Sequence, residues 1–243
     1  MQFKDINCGF RSRKPDLQYA ATYEQTACVC RDNGIVGRAI YHLDKSAESN
    51  ETTCRLAVQS GGTEFPVLRL LPPAYPDEAL TRAQMEQAIT QYRALFRIHP
   101  KTHAAPLHAW MYDWMLDLLC ETKTPLLVSL QELNLHDAAA VKERYPNLRL
   151  IITNTDQWLN RQYLRFAQYF DEVYFDTCNI IEYHGLENLV SILGAERFLF
   201  GTNMPDKEPY DQVFRLLFCG LSQEQKEQIA FRNFERLVEV RGV

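Results

Sequence analysis

The sequence predicts an α/β fold, a (β/α)8 TIM barrel of parallel strands with outer helices, from three observations. Eight short runs rich in Val, Ile, Leu and Phe alternate with longer segments of helical period. The runs are continuously apolar, as strands covered by helices on both faces are. The first run ends Asn7-Cys8-Gly9-Phe10, without the Gly-rich phosphate turn that usually follows the first strand of an open doubly wound sheet. Eight such units in 243 residues match the roughly 250 that a barrel of this kind uses. No linker or charge block marks a boundary, so a single domain over 1–243 is expected.

Taken in order, FKDINCG (3–9) is the first strand, followed by a helix over about 16–32. GIVGRAIYHL (34–43) precedes a helix over 46–59, and FPVLRLL (65–71) precedes one over 77–91, where Pro76-Asp77-Glu78 suits a first helical turn. YRALFRIH (92–99) and a helix over 108–122 come next, then TPLLVSL (124–130) with a helix over 136–145. LRLIITN (148–154), a helix over 157–169, EVYFDT (172–177) and a helix over 182–193 continue the alternation. RFLFGT (197–202) is the last strand. The closing helix, 222–240, starts on a capping-box pair, Ser222 and Gln225. Its stripe of Ala230, Phe234, Leu237 and Val238 should pack on the sheet.

Composition excludes several function classes. The chain is 46% hydrophobic and 23% charged with net charge −5, and no Lys/Arg run stands out, so neither nucleic acid nor an anionic membrane is an expected partner. The N-terminal MQFKDINCGFRSRK has no apolar signal core, which points to a cytoplasmic protein. The seven cysteines are mostly scattered, and Cys28-x-Cys30 lacks the C-x2-C pairs of a zinc site, so reduced thiols are expected.

In such barrels the site lies at the C-terminal ends of the strands. Alternation there presents Asp5, Asn7 and Gly9 on the first strand, His99, Lys101 and His103 of HPKTH on the fourth, and Ser129, Gln131 and Glu132 on the fifth. The sixth offers Asn154 and Asp156, the seventh Asp176, Thr177 and Asn179, and the eighth Thr202, Asn203 and Asp206. Amides and hydroxyls dominate, which suits hydrogen bonding better than metal binding. Two imidazoles and an ammonium within five residues could hold an anionic group or relay protons. His42, His108, His136 and His184 read as structural or exposed, and Trp110, Tyr112 and Trp114 as apolar helix contacts.

The order of these strand ends resembles the amidohydrolase-related barrels, a family of metal-dependent hydrolases and decarboxylases. ERFLFGTNMP (196–205), followed by QIAFRNFERLV (228–238), is similar to that family's closing segment. TPLLVSL, PNLRLIITN (146–154) and KDINCG (4–9) resemble its fifth, sixth and first strands. The resemblance implies metal ligands in a first-strand D-x-H-x-H, a His ending strands five and six, and an Asp on the last strand. Those positions hold Asn7, Gly9, Ser129, Asn154 and Asn203. Zn2+ prefers imidazole, thiolate or carboxylate, so no metal and no other cofactor is expected.

Two functions follow as expectations. One is a metal-independent hydrolase or lyase on a small carboxylated or cyclic substrate, as some family members hydrolyse without metal. There His99 and His103 would serve as acid and base, with Lys101, Asp5, Asn7, Ser129, Gln131, Asn154, Asn203 and Asp206 at the substrate. The other is an inactive barrel serving as a ligand-binding or assembly protein. A small-molecule ligand is the expected partner in either case, and a homo-oligomer is possible.

Overall fold

The computed structural model describes residues 1–11, 22–44, 48–75, 77–155 and 160–240. Its eight strands form one parallel sheet in sequential order: β1 Phe3–Phe10, β2 Ile35–His42, β3 Glu64–Arg69, β4 Leu95–Ile98, β5 Leu126–Ser129, β6 Leu150–Thr153, β7 Val173–Asp176 and β8 Phe198–Leu199. Ile6 N donates to the Phe200 carbonyl at 3.0 Å and Asn203 N to the Asn7 carbonyl at 2.9 Å, joining the last strand to the first. A (β/α)8 barrel results. The helices between strands are α1 Tyr23–Asp32, α2 Glu48–Gln59, α3 Arg82–Tyr92, α4 Asp113–Glu121, α5 Leu135–Arg144, α6 Asn160–Tyr169 and α7 Gly185–Leu193. No helix among the described residues is long and apolar enough to cross a membrane.

The apolar residues divide into two layers, as strand alternation requires. Ala39, Phe65, Leu95, Leu127, Ile151, Tyr174 and Leu199 form an inner cluster, while Leu68, Phe96, Val128, Ile152 and Phe175 pack in the larger cluster that includes helix residues. The chain's final segment closes one end of the barrel. Phe234, Leu237 and Val238 join the inner cluster, and the Phe234 ring meets Phe65 edge-on at 5.4 Å. Ser222 and Gln225 do form a capping box, at the start of a helix over Gln223–Glu227 that continues as two π turns to Glu239.

Several boundaries differ from expectation, each for a local reason. The helix expected from 77 begins at Arg82, because Thr81 and Gln84 make their own capping box there. That helix also takes Tyr92 and ends on Arg93 at φ 52, so β4 starts later than the sequence predicts. The segment from His108 is a set of turns, and α4 begins only at Asp113. An unforeseen helix, α8 Pro209–Phe218, follows β8. Pro209 at its first position starts it, but Tyr210, Phe214 and Phe218 are exposed while Val213 and Leu216 are buried, which blurs the pattern. Pro76, Asp156 and the expected helix starts at 16–21, 46–47 and 157–159 lie outside the described residues.

Candidate functional site

One irregularity in β1 organises the barrel mouth. Asp5 pairs with Arg38 and Cys8 with Ile40, so β1 spends one residue more than β2 over this stretch. Ile6 belongs to the inner cluster, and the extra residue lets Asn7 follow it inward. Asp5 therefore does not share a face with Asn7 and Gly9, as simple alternation predicts. Its carboxylate accepts from Thr202 Oγ1 at 2.5 Å, Thr202 N at 3.1 Å and Asn7 N at 2.8 Å. Asp5 ties β1 to the exit of β8.

Asn7 is the hub. Its Nδ2 donates to Asp176 Oδ2 at 2.8 Å, Asn154 Oδ1 at 2.9 Å and, at longer range, Asn203 Oδ1 at 3.4 Å. Its Oδ1 accepts from Arg97 Nη2 at 3.2 Å, and the same nitrogen donates to Thr153 Oγ1 at 2.6 Å. Asn154 and Asn203 can aim inward because each sits in the left-handed region, at φ 55 and φ 59, which Asn tolerates better than most residues. Asp176 also accepts from Asn154 N at 3.0 Å. Burial pushes this carboxyl up to about 6, against the hydrogen bonds from its neighbours and the charge of Arg97 that hold it down. Cys178 donates to Asn154 Oδ1 at 3.0 Å, and its thiol is raised well above the ordinary range by burial and then by Asp176.

Two glycines make room for this arrangement. A Cβ at Gly201 would lie 2.8 Å from Asp176 Cβ, so the last strand approaches Asp176 only without a side chain. A Cβ at Gly9 would meet the Tyr41 ring and the Met204 carbonyl, each at 3.1 Å. Tyr41 fills the space that a longer side chain at position 9 would need. Over that ring lies the Arg97 guanidinium, 4.2 Å from its centroid.

The remaining candidates fall around this centre. Ser129 Oγ donates to Gln131 Oε1, and Gln131 Nε2 donates to the Asn154 carbonyl at 2.7 Å. Lys101 Nζ donates to the Gln131 carbonyl. Glu132 fixes the HPKTH loop by accepting from Lys101 N at 2.8 Å, Thr102 N at 2.9 Å and Thr102 Oγ1. Burial raises the Glu132 carboxyl, but these bonds outweigh it and leave it below its usual value. The His99 and His103 rings meet edge to face at 5.3 Å. Asp206 is exposed, in a turn whose amide donates to the Asn203 carbonyl at 3.0 Å. Beside the hub, at the ends of β2, β3 and β4, is a cavity of about 110 Å3 lined by residues including Tyr41, His42, Arg69, Arg97 and His99.

Asp5, Cys8 and Cys30 place their ligand atoms within 4.8 Å of one another, under α1. Each is already engaged: Asp5 as above, Cys8 and Cys30 with each other at 4.0 Å, and Cys8 with Arg38 Nη1 at 3.7 Å. A guanidinium on the thiol and a saturated carboxylate leave this trio without the open anionic ligands a cation needs.

Arg97, Tyr41, Thr153 and Cys178 were not among the residues singled out in the sequence. A signal for Arg97 is present: a charge inside the apolar run YRALFRIH, two residues before His99 and so on its face. Asp176 is recognisable in the sequence as a strand-end residue, but nothing local says which strand-end carboxylate turns inward.

The model of the amidohydrolase family matches residues 46–240. The chain belongs to the amidohydrolase family. Solved amidohydrolase-like barrels cover nearly all of it. The 2,6-dihydroxybenzoate decarboxylase from Rhizobium is 13% identical with a TM-score of 0.79, covering 100% of each chain. The dihydroxybenzoic acid decarboxylase from Polaromonas sp. JS666, with bound manganese and 2-nitroresorcinol, is 14% identical with a TM-score of 0.75, covering 98% of this chain and 97% of that one. The 4-oxalomesaconate hydratase from Rhodopseudomonas palustris is 15% identical with a TM-score of 0.71, covering 98% and 96%. At these identities the likeness is one of fold. A search of curated proteins finds no match.

Proposed function

We propose that this amidohydrolase is a metal-independent hydrolase or lyase acting on a small carboxylated substrate at the barrel mouth. The observation that carries the reading is the Asn7 hub. Its amide nitrogen points at Asp176, Asn154 and Asn203, so the centre of the mouth presents a donor where a metal would need an acceptor. Both Asp176 oxygens are spent on hydrogen bonds, and the Arg97 guanidinium on Asn7 Oδ1 opposes a second cation. The residues present do not fit a divalent ion, although a similar barrel holds manganese.

The chain's own residues then divide the work. The half-buried amides of Asn154 and Asn203 face the mouth and grip polar groups of the substrate. His99, on the wall of the cavity beside Arg97, is the acid/base candidate within reach, with His103 against its ring. Lys101 holds the Gln131 carbonyl, which makes it a loop-fixing cation rather than a free amine nucleophile. Asp176, fully buried, positions Asn7 and Asn154 and does not reach substrate.

The test combines metal analysis with turnover of a panel of lactones, hydroxybenzoates and unsaturated dicarboxylates, with and without chelator. Turnover that survives chelation in metal-free protein and is lost in His99→Ala is expected. Stoichiometric metal restoring activity to stripped protein would sink the proposal.

A second reading, a non-catalytic ligand-binding or assembly barrel, has one observation in its favour. Asp176, the carboxylate on the Asn7 side-chain amide, is 0% exposed, so a substrate at the mouth does not touch it. Loss of a measured turnover on replacing His99, Lys101 and His103 by Ala would eliminate it.

A further inference from the structure

We propose that Arg97 is the anchor of a carboxylate-binding subsite in the cavity at the ends of β2, β3 and β4. The inference rests on the metal-free reading of the same mouth and names the group by which substrate is held.

Arg97 is 3% exposed, and a guanidinium that deep ordinarily has an anion against it. Among the described residues no carboxylate forms an ion pair with it. Nη2 donates to Asn7 Oδ1 and Thr153 Oγ1, while Nε and Nη1 have no hydrogen-bond partner among the described residues. Arg97 also lines the adjoining cavity of about 110 Å3. That volume exceeds the roughly 30 Å3 share of a single water and suits a carboxylate with its first carbons. The guanidinium is held on one edge by Asn7 and Thr153 and on one face by the Tyr41 ring, 4.2 Å away, so binding would require little reordering.

The wall chemistry selects the anion. Arg69 and His99 line the same cavity, so its lining is predominantly cationic or neutral. Asp44 is the acid on that wall, 3.9 Å from His42 Nδ1. Its charge opposes a dianion, which favours a carboxylate monoanion over phosphate. Arg97 thereby supplies a fixed positive charge, built into β4, at a mouth where the amides of Asn7, Asn154 and Asn203 meet. A guanidinium matches a planar carboxylate better than a lysine ammonium does.

The experiment uses the whole protein labelled with 15N-arginine, titrated with sodium benzoate and separately with inorganic phosphate at constant ionic strength. The Nε–H resonance of Arg97, assigned by its disappearance in Arg97→Lys, should shift saturably with benzoate and less with phosphate. Benzoate affinity in Arg97→Lys should fall by roughly tenfold. An unmoved Arg97 resonance, or a stronger response to phosphate, overturns the proposal. Should Arg97→Lys not fold, calorimetric titration of benzoate into Arg69→Gln and the parent protein supplies the comparison, with weakened binding in the variant expected and unchanged binding overturning the subsite. Turnover plays no part in this readout. Catalysis can therefore fail while benzoate binds, and benzoate can fail to bind a chain that turns over a neutral substrate.

Discussion

Asn7 serves four side chains through one amide, so truncating it is felt at each of them. Asn7→Ala strips a donor from buried Asp176 and an acceptor from buried Arg97. A loss of about 2–3 kcal/mol is expected, since unpaired buried polar groups carry a full desolvation cost. Urea denaturation measures it, and a loss below about 0.5 kcal/mol, the ordinary surface value, would contradict the hub. Gly201→Ala acts on the same centre from the other side. With 2.8 Å between the new Cβ and Asp176 Cβ, overpacking of about 1–3 kcal/mol is expected. An unchanged thermal midpoint would mean that the strand end can yield.

At the scale of elements, the closing helix is both a cap and a plug. Ser222→Ala removes a capping box, so about 1 kcal/mol should be lost. Phe234→Ala empties a fully buried position against Phe65, for about 3–5 kcal/mol. Chemical denaturation of the two variants should rank them in that order, and the reverse order would show that the plug is not where the stability lies. Both features are legible in the sequence: Ser222, Gln225 and the stripe from Ala230 to Val238 are local patterns. The helix at Pro209–Phe218 was not, because its outward aromatics and inward Val213 and Leu216 give no clean apolar face. Alternation in β1 also misled. The extra residue between Asp5 and Cys8 sends Asp5 to Thr202 and Asn7 to the mouth, and a bulge leaves no reliable mark on residue types.

For the whole molecule, Asp176 couples the mouth to pH. Its folded-state pKa, about 6, lies above the ordinary carboxyl value, so the folded protein holds a proton that the unfolded chain releases. The stability this group contributes is full below about pH 4 and is lost as pH rises through about 6. The span is on the order of 3 kcal/mol for a fully buried group. Comparing urea midpoints of the protein and Asp176→Asn from pH 4 to 7 checks the sign: the variant should show a flatter decline. A steeper one would mean that Asp176 is already ionised at low pH, held so by Arg97.

By itself the sequence determined the barrel, since eight apolar runs separated by helical segments leave few other ways to bury both faces of a parallel sheet. It also determined that the strand ends carry Asn7, Gly9, Ser129, Asn154 and Asn203, the positions to which the family resemblance assigns metal ligands, because identity at a strand end is a local fact. Only the tertiary structure decided what those residues do together. Asn154 and Asn203 lie 147 and 196 residues from Asn7 in sequence, and the three meet because the barrel closes β8 on β1. Arg97 was visible as a charge in an apolar run, but its direction was not. Whether a buried arginine is satisfied by a carboxylate or left facing a cavity depends on strands far along the chain, and here it faces the cavity.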